Sequence, residues 1–334
     1  MENSTKKELL KIKGLRVHFD LKGQGVLHAV DGIDLDVYQG EILGLVGESG
    51  CGKTVTTLSL LRLIEPPGHI SNGQLNWEGK DLLNLNHKEI RQVRGKEIAM
   101  IFQNPQSSMN PLYSVGSQLV SVIRLHQQIS KEEAKKEAVR LLRLVEIPDP
   151  DRRMNDYPHQ LSGGMCQRIM IAMALSCKPK LLVADEPTAS LDVTIQAQIM
   201  DLLLEIREKF QMAILLVSHD LGVIAKMCDR ILVMYLGRIV ESAPAMKLYS
   251  SPKHPYTRAL LKSVPLPDPT NNSKIARLKG DVPSPMDIPS GCRFRSRCPE
   301  VFDQCSKVDP MLQPVNNDDH HAACLLYYSN DADI

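Results

Sequence analysis

Residues Gly47, Glu48, Ser49, Gly50, Cys51, Gly52, Lys53 and Thr54 follow the apolar run EILGLV (41–46) and lead into TVTTLSLLRLI. That order of residue types suits an anion. Glycines let backbone N–H groups crowd a phosphate, and a helix start behind them adds favourable partial charge. Lys53 is expected to hold the β- and γ-phosphates of a nucleotide, and Thr54 to ligate Mg²⁺. Cys51 has two readings. A helix N-terminus and Lys53 together would lower its thiol pKa, or the residue is a small side chain filling a serine's space.

A second cluster of chemistry-bearing residues lies at the ends of other apolar runs. KLLVA (180–184) ends in Asp185 and Glu186. The first can hold Mg²⁺ through water opposite Thr54, and the second can polarise a water attacking the γ-phosphate. Gln103 follows EIAMIF (97–102) and His219 follows MAILLVS (212–218). An amide there can sense Mg²⁺ or water, and an imidazole can contact the γ-phosphate. A further serine-and-glycine turn, LSGGMCQ (161–167), also leads into a helical pattern.

Cys292, Cys298, Cys305 and Cys324 are separated by five, six and eighteen residues. Four thiolates can hold zinc or an iron–sulfur cluster, although the CxxC pairs of zinc ribbons are missing. Arg293, Arg295 and Arg297 are expected to be solvated, or to offset the charge of such a group.

The elements that must position these residues follow from the pattern. Short apolar runs ending in polar motifs alternate with helical stretches, which predicts a mostly parallel α/β sheet with ligands at the strands' carboxyl ends. LLKIKGLRVHF, VLHAVDGIDLDVYQG and RILVMYLGRIVE (230–241) alternate instead, and predict small antiparallel strands beside that sheet. Between residues 104 and 180 the pattern is helical. Ser130 and Glu133 form a capping box, with Ala134, Ala138, Leu141, Leu142 and Val145 on one face before Pro148. After about residue 264, proline and polar residues predict a linker and then a short cysteine-bearing tail.

Composition narrows the partners. The 334 residues carry 40 Lys and Arg against 39 Asp and Glu, so no global field recruits nucleic acid or an anionic membrane. MENSTKKELLKIKG is polar, and IMIAMAL (169–175) is too short to cross a bilayer. The expectation is a cytoplasmic chain that reaches a membrane only through a partner. In that compartment eight cysteines argue for core, catalytic or metal roles rather than disulfides.

GESGCGKT, Gln103, LSGGMCQ, LLVADE, SLD (190–192) and His219 resemble, in identity, order and spacing, the nucleotide-binding subunits of ATP-binding cassette (ABC) transporters. The resemblance covers roughly residues 8–264. It implies a RecA-like core with an antiparallel β-subdomain and a helical subdomain, at about 104–180, within an ATPase domain of residues 1–264. Residues 265–334 form an extension. It also implies that Phe19 stacks on adenine, in place of the commoner tyrosine. Ser162, Gly163 and Gly164 then serve the ATP of an opposing subunit, and Asp192 helps two such sites communicate. Met165 replaces the usual glutamine of that signature and puts its contact in question.

Within the family, YPHQLSGGM, IAMAL, LDVTIQAQI, HPYT (254–257) and the cysteine tail resemble ATPases that drive dipeptide and oligopeptide import, whose close relatives serve nickel and glutathione uptake. That resemblance implies a "D"-type ATPase paired with an "F"-type ATPase, two membrane subunits and an extracytoplasmic binding protein, with the chain peripheral on the cytoplasmic face of the inner membrane. Helices of the membrane subunits would seat near Gln103 and NPQSSMNPLYSVGSQL (104–119). It further implies a 4Fe-4S cluster in the tail, on Cys292, Cys298, Cys305 and Cys324. Soluble ABC ATPases of translation or DNA maintenance are one rival reading; they usually carry two cassettes per chain or long coiled coils, and neither occurs here. A redox or metal-binding protein with a vestigial cassette is a second, opposed by the complete acid, lysine and signature set.

Overall fold

A computed structural model of the protein describes residues 7–189, 191–263, 280–316 and 318–328. Ser190 of the SLD motif and most of the expected linker, residues 264–279, lie outside the described residues.

The chain begins β1 (Glu8–Leu21), β2 (Gly25–Tyr38), β3 (Ile42–Val46), α1 (Lys53–Leu60), β4 (Gly68–Trp77), β5 (Lys80–Asp81), α2 (His87–Val93) and β6 (Ile98–Ile101). It continues with α3 (Pro105–Ser108), α4 (Val115–His126), α5 (Lys131–Leu144), α6 (Pro150–Arg153), α7 (Gly163–Leu175), β7 (Leu181–Asp185), α8 (Val193–Phe210) and β8 (Ala213–Ser218). The last elements are α9 (Leu221–Met227), β9 (Arg230–Tyr235), β10 (Arg238–Pro244), α10 (Ala245–Ser250), α11 (Pro255–Ser263), β11 (Gln313–Pro314) and β12 (His321–Ala322). They divide between two compact units. One comprises Met1–Lys7, Tyr38–Glu41 and Asn84–Val217, the other Glu8–Val37, Ile42–Leu83 and Ser218–Ile334.

In the first unit β6, β7 and β8 lie parallel, with β7 in the middle. Every residue of β7 and β8 is buried, as continuous apolar runs must be when both faces of a parallel sheet are covered. The helical stretch expected between 104 and 180 is present as α3 to α7. Ser130 caps α5 and Glu133 returns the bond to the Ser130 N–H. The predicted face of Ala134, Ala138, Leu141, Leu142 and Val145 is buried. The helix ends at Leu144, ahead of Pro148, because Glu146 adopts a left-handed backbone conformation (φ 56°). Helix α7 buries nine of its residues, including Gln167 and Arg168, so it runs through the core rather than along a surface.

The second unit holds a four-stranded sheet in the order β2-β1-β4-β5, with β4 antiparallel to β1 from Leu10↔Trp77 to Phe19↔Gly68. It also holds β11-β12-β10-β9-β3 in that order. Here one expectation is corrected. β9 is more than half of a small antiparallel pair: it also pairs in parallel with β3, from Leu43↔Arg230 to Val46↔Val233. Its antiparallel partnership with β10 was legible, whereas its parallel one depends on residues nearly two hundred positions earlier. The cysteine-bearing tail continues this sheet through β12, which pairs with β10 at Glu241↔Ala322. Among the described residues, no helix is long and apolar enough to cross a membrane.

Candidate functional site

The glycine loop joins buried β3 to α1 within the second unit. Two of its glycines are obligatory on steric grounds. A Cβ on Gly47 would lie 2.2 Å from the Met234 carbonyl oxygen, and one on Gly52, at φ 110°, would lie 2.3 Å from the Ala29 carbonyl oxygen. The tight loop turns the Lys53 side chain back on itself, where Nζ donates to the carbonyls of Gly47 (2.8 Å) and Glu48 (3.1 Å). An ammonium held this way sits at the mouth of the loop, where phosphate oxygens can replace carbonyls. Ser49, Gly50 and Thr54 are exposed on the same loop.

Cys51 corrects the reactive-thiol expectation. Its side chain is buried, 2% exposed, beneath the loop. Burial pushes the thiol pKa up, and the opposing pull of Lys53 is the smaller influence. The small-filler reading of this residue is the one that fits.

In the first unit, β7 delivers Asp185 buried and Glu186 half-buried. Glu186 has φ 45°, a left-handed conformation that costs a non-glycine residue on the order of 1 kcal/mol or more. Its N–H donates to the Val217 carbonyl at 3.0 Å, and its carboxylate accepts a 3.0 Å hydrogen bond from Nε2 of Gln103. Two residues 83 positions apart, at the ends of β6 and β7, therefore meet. His219 is exposed on the turn after β8, where Ser218 Oγ accepts from the Asp220 N–H (2.9 Å) and Asp220 caps α9.

The serine-and-glycine turn is a capped helix start. Ser162 Oγ accepts from the Met165 N–H at 3.3 Å, leaving Ser162 exposed and Gly163 and Gly164 half-buried. Asp192 likewise caps α8 through the Ile195 N–H at 3.0 Å. The two helix starts touch: a Cβ on Gly164 would approach Ile195 Cγ2 to 2.9 Å. Glycine at 164 is thus a packing requirement as well as a source of backbone donors.

Phe19 is half-buried near the end of β1 and its ring covers Gly68, where a Cβ would come within 2.5 Å of Cε1. Close by, His28 Nδ1 and His18 Nε2 are 3.0 Å apart, and burial, followed by His28, lowers the His18 pKa. Sequence reading missed this pair because the two histidines lie on different strands.

The tail gives the largest departure from expectation. Arg293 and Arg297 are neither solvated nor turned toward the cysteines; both are buried. Arg293 pairs with Asp31, which also meets Arg16 and Arg238, and donates to the Leu236 carbonyl at 2.7 Å. Burial of Asp31 opposes its charge, but Arg293, Arg16 and Arg238 outweigh it and hold the carboxyl below its ordinary value. Arg297 forks onto Glu48 of the glycine loop at 2.7 and 2.9 Å. Arg295 is the one that lines the cysteine cavity.

That cavity is lined by all four tail cysteines. None forms a disulfide. Burial pushes Cys292 up to about 11 and Cys324 up to about 12, so both are uncharged thiols in the free chain. Among the described residues, no three His, Cys, Asp or Glu side chains converge as a ready-made single-ion group. The four thiols and Arg295 line one cavity, a set of soft donors with a cation beside it.

A lysine cradled by a glycine loop after a parallel strand binds phosphate, and a carboxylate oriented by an amide can activate water; the class is a nucleoside triphosphatase. Comparison with known proteins makes that specific. The ABC transporter family model matches residues 30–189, and the model of the oligopeptide/dipeptide transporter C-terminal region matches residues 240–305. The chain is 49% identical to a dipeptide transport ATP-binding protein of Haemophilus influenzae over 309 residues, covering 92% of this chain and 93% of that one. Against its Escherichia coli counterpart identity is 47%, covering 91% and 92%. Against an oligopeptide transport ATP-binding protein of Bacillus subtilis it is 44%, covering 97% and 98%. Among solved structures, a dimeric ATP-binding cassette bound to ADP and phosphate superposes with TM-score 0.64 at 26% identity, covering 71% of this chain and 99% of that one. A cassette of an ABC transporter complex from Clostridium perfringens gives 0.62 at 26%, covering 74% and 92%. The chain belongs to the family of ABC transporter ATP-binding subunits that carry the oligopeptide/dipeptide C-terminal region, and hydrolyses ATP to drive transport.

Proposed function

We propose that this ATPase energises uptake of di- and oligopeptides, working with a second ATPase subunit of the "F" type, two membrane permease subunits and an extracytoplasmic binding protein, from the cytoplasmic face of the inner membrane. What supports the substrate class is the match of residues 240–305 and the dipeptide and oligopeptide roles in the names of relatives 44–49% identical. Uptake of nickel or glutathione by the same machinery is the alternative outcome. Growth of a deletion strain on defined peptides tests it: restored growth on di- or oligopeptides only with the intact gene supports the proposal, and peptide growth unaffected by deletion refutes it.

The residue roles rest chiefly on one observation, the Gln103–Glu186 hydrogen bond, because it fixes a carboxylate by an amide that has no other evident reason to be there. In this reading Glu186 polarises the attacking water, Asp185 holds Mg²⁺ through water, and Gln103 orients Glu186 and senses the metal. Lys53 and Thr54 take the β- and γ-phosphates and Mg²⁺. The N–H groups of residues 47–54 cradle the phosphates, His219 contacts the γ-phosphate and Phe19 stacks on adenine. Ser162, Gly163, Gly164 and the Met165 position present the exposed helix start to the ATP of the opposing subunit. Asp192, which fixes the start of α8 against that turn, links the two sites. ATP binding closes the pair because both half-sites grip one triphosphate, and hydrolysis releases it. We divide the chain accordingly into an ATPase domain, residues 1–264, and an extension, residues 265–334.

Cys292, Cys298, Cys305 and Cys324 would hold a 4Fe-4S cluster in the extension, with Arg295 beside it. A cluster there can stabilise the tail by replacing four thiols with metal bonds. Anaerobically purified protein is expected to be brown, and Cys292→Ser to bleach it; a colourless preparation holding one zinc per chain would assign the cavity to zinc.

A further inference from the structure

The geometry points to Arg297 as a positioning residue for the phosphate loop, through which the C-terminal extension sets the affinity of the site for MgATP. Glu48 is the second residue of the loop, and three contacts immobilise it. Its carboxylate receives both guanidinium N–H groups of Arg297 at 2.7 and 2.9 Å. Its backbone N–H donates to the Tyr256 hydroxyl at 2.9 Å. Its carbonyl accepts from Lys53 Nζ and from the Cys51 N–H. The loop is therefore held from outside by two residues, Arg297 and Tyr256, that no phosphate-loop motif includes.

The brace is rigid at its far end. Only 5% of the Arg297 side chain is exposed, against 27% for Glu48. Its guanidinium lies 5.9 Å from the centroid of the Tyr235 ring, which packs with Tyr256 and Phe294 at centroid separations of 4.7 and 5.3 Å. The Arg297 N–H donates to the Phe294 carbonyl at 3.0 Å. A bidentate arginine–carboxylate contact fixes angle as well as distance, which a lysine or a solvated arginine does not. A phosphate loop binds by presenting several N–H groups at once, so freezing its conformation before the ligand arrives removes an ordering cost from binding. The inference rests on ATP binding alone and not on the peptide or iron assignments, since MgATP affinity is measured identically with or without iron in the tail.

The test is a titration of the purified full-length chain with MgATP by calorimetry. Arg297→Ala is expected to raise the Kd about tenfold, equivalent to about 1.4 kcal/mol. Arg297→Lys keeps the charge but loses the fork, and is expected to recover part of the loss. Glu48→Ala removes the same contact from the loop side without altering the tail, so it reports on the brace even if Arg297→Ala loosens the extension. The double variant should bind no more weakly than the worse single one. In the assembled transporter the loss should fall on KM for ATP rather than on kcat. Wild-type Kd values for both Arg297→Ala and Glu48→Ala, or full additivity in the double variant, would overturn the inference.

Discussion

Gln103 and Glu186 are joined side chain to side chain at 3.0 Å although 83 residues separate them, and Glu186 is held at φ 45°. A carboxylate fixed at both backbone and side chain is pre-ordered, which is what a general base needs before its substrate arrives. Replacing Glu186 by Gln keeps size and hydrogen bonding but removes the carboxylate proposed as the base. MgATP binding to the chain should persist, while phosphate release by the assembled transporter falls by about 10²-fold or more. Unchanged phosphate release would remove Glu186 from the role. Gln103→Ala, which frees the carboxylate without removing it, should cost less, on the order of tenfold.

The contact between the starts of α7 and α8 makes a separate prediction. A methyl group on Gly164 meets Ile195 Cγ2 at 2.9 Å, a β-branched side chain with little freedom to retreat. Gly164→Ala should therefore lower the thermal midpoint, by about 1–2 °C for a cost of about 1 kcal/mol in a chain of this size, and reduce ATP turnover in the assembled transporter. Adding Ile195→Ala should restore much of both. If the second substitution made matters additively worse, the clash would not be the cause.

What the sequence reveals here is what short-range physics writes into it. β7 and β8 were legible because strands buried on both faces are continuous apolar runs, and the phosphate loop was legible because its glycines answer to steric demands inside eight residues. The capping boxes and N-caps, at Ser130 and Ser162, are equally local. Arg297 and Glu48 are a different case, 249 positions apart, and nothing in RFRSRC distinguishes an arginine that pairs with a distant carboxylate from one in water. The same holds for Arg293 with Asp31, for β9 with β3, and for Cys51, whose motif suggested a low pKa while its burial, invisible in the motif, raised it. Chemistry carried by a contiguous motif could be read; chemistry carried by long-range closure could not.

His254 of HPYT is buried, and Nδ1 accepts the Tyr256 N–H at 3.1 Å, which a protonated ring could not do. Burial pushes its pKa down to about 4, against the nearby Glu241 carboxylate, which favours the charged form. An unfolded histidine titrates near 6.5. Between those values the unfolded chain binds a proton that the folded chain refuses, so this contribution to stability is complete above about pH 6.5. It is lost progressively as the pH falls toward about 4, then stays constant. At about 1.4 kcal/mol per pH unit the span amounts to roughly 3 kcal/mol. Denaturant titrations from pH 7 to 4 should show the decline, and His254→Asn, which keeps an acceptor but has no proton to take, should flatten it. An identical pH slope in the variant would assign the loss to other groups.

Phe19 can be separated from every other nucleotide contact by the ligand used. Its half-buried ring lies against Gly68 and is the proposed platform for a flat base. Stacking on an aromatic ring contributes about 1–3 kcal/mol and depends little on which base is stacked. Phe19→Ala should therefore weaken ATP and GTP alike, about tenfold in Kd, whereas Phe19→Tyr should stay within about twofold. Gly68→Ala, by displacing the ring, should imitate Phe19→Ala. Inorganic tripolyphosphate has no base to stack, so Phe19→Ala should leave its affinity alone while Arg297→Ala, acting through the loop, should weaken it as much as it weakens ATP. Equal loss of tripolyphosphate and ATP in Phe19→Ala would mean that the ring supports the fold around the loop rather than the adenine.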